Sequence, residues 1–182
     1  MNKPLIKSPR PFLLLISLLS LSACNQMAAF QAVTETAGAG DVYRADSKVN
    51  ALIPAGATIE KLAGGFAFTE GPVWHQRLKH LMFSDLRSNA IHLWDEENGL
   101  RTFMDPVFEG ESDSSSVGSN GLNINAESLL ILLEHGNRRV SRQERDGSIT
   151  TLADNYQGKR LNSPNDSAWH SDGSLYFTDP PY

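Results

Sequence analysis

From Leu52 onward the apolar residues fall in short runs that alternate weakly with polar ones and stop at Gly, Asp, Asn or Pro. Residues 78–85 (LKHLMFSD), 89–95 (NAIHLWD) and 100–105 (LRTFMD) form one set of strand candidates. A second set is 128–135 (SLLILLEH), 138–143 (RRVSRQ) and 148–154 (SITTLAD), with Arg145-Asp146-Gly147 as a hairpin turn. A third begins at 163–169 (SPNDSAW), turns at His170–Gly173 and continues through 174–179 (SLYFTD). No run of twelve or more residues carries a helical period, so the pattern predicts an all-β fold.

The sets superimpose. Glu70-Gly71-Pro72-Val73-Trp74 precedes Asn120-Gly121-Leu122-Asn123-Ile124 by 50 positions, and Asn120 precedes Asn165 by 45. At the strand ends, Phe83-Ser84-Asp85, Leu133-Glu134-His135 and Phe177-Thr178-Asp179 are offset by 50 and then 44, which matches His135 with Asp85 and Asp179. Units of this length, each holding up to four short strands, are the mark of propeller blades. A β-sandwich of unrelated hairpins would not keep a polar residue, a small turn and an apolar residue in register. The longer first interval is expected to hold a loop insertion at 109–119.

Residues 51–182 suffice for about three blades, fewer than a closed propeller needs. The run Asp179-Pro180-Pro181-Tyr182 follows directly on a strand candidate, so a chain truncated relative to the whole fold is expected. An open array would leave a blade face and edge prone to aggregation.

The first 23 residues read differently. Lys3, Lys7 and Arg10 precede the apolar run Phe12–Leu21, and small residues follow. Ten helical residues rise about 15 Å, half a bilayer core, so the run is too short to span and has the form of a secretory signal. It ends Leu21-Ser22-Ala23-Cys24, which resembles the lipobox of bacterial lipoproteins. That resemblance implies lipidation of Cys24 and a cell-envelope location, with a secreted or periplasmic protein as the alternative. Residues 24–50, rich in Ala, Thr, Gln and Gly, read as a tether.

Cys24 is the only cysteine, which excludes intrachain disulfides and cysteine-based zinc clusters. The net charge of -5 would become about -8 without the basic leader, and no basic stripe offsets it, so the charge argues against nucleic acid as a partner. Gly-x-Ser-x-Gly, His-Glu-x-x-His and dinucleotide glycine motifs are absent.

The first strand of a propeller blade lines the central channel. The repeat therefore predicts that Glu70, Asn120 and Asn165 approach the axis at one end. A carboxylate with amide oxygens suits a hard cation such as Ca²⁺ or Mg²⁺, and Zn²⁺ or Mn²⁺ remain open. The competing readings are turn residues bonding their own backbone, for the asparagines, and a capping carboxylate, for Glu70. Glu70 is expected where the apolar strand Phe66–Thr69 meets a Gly-Pro turn. His135 is a candidate substrate contact and Asp166 a residue orienting Asn165.

Four segments carry a wider resemblance: Glu70-Gly71-Pro72-Val73-Trp74, Glu134-His135-Gly136-Asn137-Arg138-Arg139, Leu161-Asn162-Ser163-Pro164-Asn165-Asp166, and Gly173 to Tyr182. In this order they resemble the gluconolactonase and senescence-marker-protein family, over roughly Ile59–Tyr182. The resemblance implies a six-bladed β-propeller that hydrolyses sugar lactones with one divalent cation. It further implies that Glu70 is a metal ligand and that Asn165 lies beside the metal or substrate. Asn120, His135 and Asp166 are taken as substrate-side residues, and Asn120 rests on the repeat alone. A further asparagine ligand and a catalytic aspartate of the family are expected beyond Tyr182, so this chain is expected to be inactive alone. Ser163 stands where some relatives carry arginine, which puts their style of acidic-sugar binding in doubt. The alternative function is a non-enzymatic, envelope-anchored propeller that serves as a scaffold or binding protein.

Overall fold

The computed structural model describes residues 40–182; the proposed leader, Cys24 and most of the tether lie outside them. A short 3-10 helix, Ser47–Ala51, opens the described chain and spans the expected tether boundary. Asp46 caps it by accepting from the Lys48 N–H, and Arg44 bonds Asn50 Oδ1 and the carbonyls of Ile53 and Pro54.

Two four-stranded antiparallel meanders follow. The first comprises β1 (Thr69–His75), β2 (His80–Asp85), β3 (Ala90–Asp95) and β4 (Gly99–Met104). The second comprises β5 (Ser119–Ile124), β6 (Leu130–Glu134), β7 (Arg139–Gln143) and β8 (Ile149–Ala153). A small hairpin, β9 (Asn155–Tyr156) and β10 (Lys159–Arg160), leads to the pair β11 (Ser167–Trp169) and β12 (Leu175–Phe177). These are two β-propeller blades and the first two strands of a third, the all-β architecture that the spacing predicts.

Apolar faces between blades hold the array together. Met82, Ile91 and Leu93 of the first blade pack on Leu122, Leu130 and Leu132 of the second. Ile131, Leu133 and Val140 use the second blade's other face to meet Leu175 and Phe177 of the third. The sequence LILLE of β6 is therefore buried throughout, because alternate side chains enter different interfaces. Between the first two blades the buried hydroxyls of Ser84 and Ser119 bond each other at 2.8 Å.

The ladders correct one expected match. Thr69 pairs with Asp85 and Ser119 with Glu134, while Ser167 pairs with Phe177 as Leu122 pairs with Leu132. Asp85, Glu134 and Asp179 are thus equivalent, and His135 sits one position later. The cause is the first hairpin, where Trp74 to Leu81 is one residue longer than Ile124 to Leu130. A second correction concerns Phe66–Phe68, which lie before the strand; Glu70 is inside β1, at a bulge.

Asp85 and Asp179 perform one task in their blades. Asp85 accepts the N–H groups of Ala67 and Phe68 at 2.9 and 2.8 Å, and Asp179 those of Asn162 and Ser163. Each carboxylate fastens the segment that enters its blade's inner strand. Glu134 instead takes Asn137, Arg139 and Ser141 of its own blade.

Candidate functional site

The inner strands converge through their bulges. β1 is irregular between Glu70 and Val73 and β5 between Ser119 and Leu122, so the residue after each polar position turns towards the neighbouring blade. Gly71 adopts φ 53°, and a Cβ there would collide with the Asn120 carbonyl oxygen. A Cβ on Gly121 would stand 2.5 Å from the Asn165 carbonyl oxygen, which accepts the Gly121 N–H at 2.7 Å. Glycine is required where backbones meet this closely. The third blade is closed by Asn165 N–H to Thr178 O, 2.9 Å, and Thr178 N–H to Asp166 O, 3.0 Å.

This convergence brings Glu70, Asn120, Asn165 and His135 to the wall of one cavity of about 530 Å³. Asn120 is 5 % exposed, and its Nδ2 lies 3.4 Å from His135 Nε2. Burial, and after it the charge of Arg138, holds the His135 imidazole below its ordinary pKa, against the upward influences of the Ser116 backbone and Asp179. A neutral ring is the consequence at pH 7. The Tyr182 ring lies 5.9 Å from it, centroid to centroid.

Glu70 and Asn165 are half-buried, and neither side chain has a hydrogen-bond partner among the described residues. Neither shows the backbone-capping or turn-bonding role that competes with a ligand role. Asp166 is placed elsewhere. Its Oδ1 accepts the Ser167 N–H at 2.8 Å and lies where a Gly121 side chain would point, so it braces the blade junction and does not line the cavity.

Among the described residues no three His, Cys, Asp or Glu side chains cluster as a metal site. The Glu70, Asn120 and Asn165 set has another character: one carboxylate and two amides, oxygen donors with no thiolate or second acid. That chemistry fits an oxygen-seeking divalent ion and leaves most of a six-to-eight-fold shell to other donors.

Among the further wall residues, Arg87, Arg138 and Tyr182 were not singled out as site residues from the sequence, and Ser163, noted there only for lacking the arginine of some relatives, also lines the wall. Leu86 and His135 are equivalent once β6 is shifted by one residue, and both line the cavity. The turn after the second strand is therefore a repeated wall position, which explains the presence of Arg87 and Arg138.

A family model described as the SMP-30/gluconolactonase/LRE-like region matches residues 68–182. The chain belongs to this family. A gluconolactonase of Zymomonas mobilis subsp. mobilis is 31% identical over 150 residues, covering 79% of this chain and 42% of the relative. A solved structure of a gluconolactonase from Xanthomonas campestris, described as important in glucose secondary metabolic pathways, superposes with TM-score 0.67 at 31% identity. It covers 79% of this chain and 46% of that one. An X-ray structure assigned to the gluconolactonases by a structural-genomics effort gives TM-score 0.64 at 40% identity, over 73% of this chain and 44% of that one. The chain thus spans less than half the length of these SMP-30/gluconolactonase relatives.

Proposed function

We propose that the cavity binds a sugar lactone beside a divalent cation, and that the whole protein is a lactone hydrolase. The observation that carries this reading is the arrival at one cavity wall of Glu70 from β1, Asn120 from β5 and Asn165 from the segment that enters β11. Membership of the gluconolactonase family and the activity named for the Zymomonas and Xanthomonas relatives support a lactone as the ligand class.

Glu70 and Asn165 would hold the cation through their oxygens, with Ca²⁺ in first place and Zn²⁺, Mg²⁺ or Mn²⁺ as alternatives. When bound, such an ion polarises an ester carbonyl and lowers the pKa of coordinated water. Asn120 offers a donor and an acceptor for sugar hydroxyls. His135, held neutral, accepts a hydrogen bond or a proton at the same wall. In the overall reaction water adds to the lactone carbonyl carbon and the ring C–O bond breaks. The ring oxygen takes a proton, which leaves a hydroxy acid.

The pattern Leu21-Ser22-Ala23-Cys24 supports an envelope location for this activity, with the domain tethered through a lipid on Cys24. Acid release from glucono-1,5-lactone, followed at constant pH with the metal-depleted whole protein, further blades included, and then with each of the four ions, tests the reading. Ion-dependent release above the spontaneous rate supports it. Release unchanged by protein and every ion contradicts it and favours the non-enzymatic scaffold.

A further inference from the structure

The same cavity carries more positive charge than its protein. The chain has a net charge of -5, yet the wall presents Arg87 and Arg138 against one carboxylate, Glu70. Among the described residues, three arginines away from the cavity wall are paired, Arg101 with Asp95, Arg139 with Glu134 and Arg142 with Glu144, while Arg44, Arg77, Arg145 and Arg160 are not, and none of these lines the cavity. Arg87 and Arg138 have no carboxylate within 4.0 Å among the described residues.

Arg138 is held in place by neutral groups. Its Nη1 donates to the Ser163 hydroxyl at 2.6 Å and to the Asn162 carbonyl oxygen, which ties the second blade's turn to the third blade's entry. Those bonds occupy one nitrogen and leave Nε and Nη2 without a protein acceptor among the described residues. Asp179, near this junction, accepts the N–H groups of Asn162 and Ser163 and is engaged by backbone. Arg87 rests over the Phe68 ring, 5.3 Å from its centroid, a contact that supports the guanidinium and leaves its N–H edge free. Two arginines without counter-ions on a concave wall, one fixed by buried Ser163, form an acceptor for an anion.

We propose that Arg138, assisted by Arg87, forms a carboxylate-binding subsite in this cavity, so that the ligand is a sugar derivative bearing a carboxylate. The assignment rests on reading the cavity as the ligand site of a lactone hydrolase. The carboxylate has two possible sources: an acid group outside the lactone ring, or the acid created when the ring opens.

The test is calorimetric titration of the full chain, stripped of divalent ions on a chelating resin. The probes are gluconate, glucaro-1,4-lactone and glucitol. Carboxylate-bearing probes are expected to bind at least tenfold more tightly than glucitol, with affinity falling as salt rises. Tighter gluconate assigns the carboxylate to the opened product, and tighter glucaro-1,4-lactone assigns it to a ring substituent. Arg138→Gln is expected to remove most of the preference, while Arg138→Lys keeps part of it, because the charge survives and the fork does not. Thermal unfolding of both variants separates lost binding from lost folding; if Arg138→Gln does not fold, Arg87→Gln is expected to weaken the preference by severalfold. Equal binding of all three probes, or a preference untouched in the folded variants, overturns the subsite. Lack of lactone turnover alongside an intact carboxylate preference overturns the hydrolase reading alone.

Discussion

Gly121 donates its N–H to the carbonyl oxygen of Asn165 at 2.7 Å, and this bond joins β5 to the segment entering the third blade's inner strand at the cavity wall. The spacing leaves no room for a side chain, since a Cβ on Gly121 would sit 2.5 Å from that oxygen. Gly121→Ala must push the two backbones apart. A loss of roughly 1–3 kcal/mol is expected from overpacking of this kind. Denaturant midpoints measure it, with Gly56→Ala as the control, because nothing lies within 4 Å of a Cβ there.

Asp85 should make stability depend on pH at the acid end. Burial, the largest influence, raises its pKa, but donors from Ala67, Phe68 and Ser88 together hold it below the ordinary 3.8. A depressed carboxylate contributes its full stabilisation above the unfolded value and loses it as pH falls through the folded one. Asp85→Asn is expected to cost roughly 1–3 kcal/mol at pH 7, since charge-assisted bonds are weakened, and to flatten the decline below pH about 4. Chemical denaturation from pH 7 to 2.5 checks both expectations.

The envelope reading stands or falls with Cys24. Cys24→Ala is expected to move the protein from the membrane pellet to the soluble fraction of a bacterial host. The mass of the native protein should carry a diacylglyceryl adduct on that residue. Equal fractionation of both forms, with no added mass, would remove the lipid anchor.

The blades were legible because β-strands announce themselves by short apolar runs between turn residues, and the eight expected runs overlap β2, β3, β4, β6, β7, β8, β11 and β12. The equivalence of Glu70, Asn120 and Asn165 was legible too, since Glu70 and Asn120 each precede a glycine at which the next blade's backbone comes close. The second-strand register was not. One additional residue in the first hairpin shifts Glu134, and not His135, onto Asp85, and apolar periodicity within β2 and β6 does not reveal an insertion between strands. Phe66 misled in another way. Its ring packs edge-on to Phe83, with centroids 5.0 Å apart, so it covers a blade face from outside any strand. Arg87 and Arg138 were hidden because exposed turn arginines look alike in sequence whether or not a carboxylate stands beside them.

The most direct test of the cation reading is a calorimetric Ca²⁺ titration of metal-depleted protein, wild type against Glu70→Gln. One site is expected for the wild type. Replacing the only carboxylate on the cavity wall among the described residues should weaken it at least tenfold, with Asn165→Ala showing a smaller loss. Equal Ca²⁺ affinity in wild type and Glu70→Gln, with both folded, would contradict the assignment of Glu70 as a ligand and with it the proposed site.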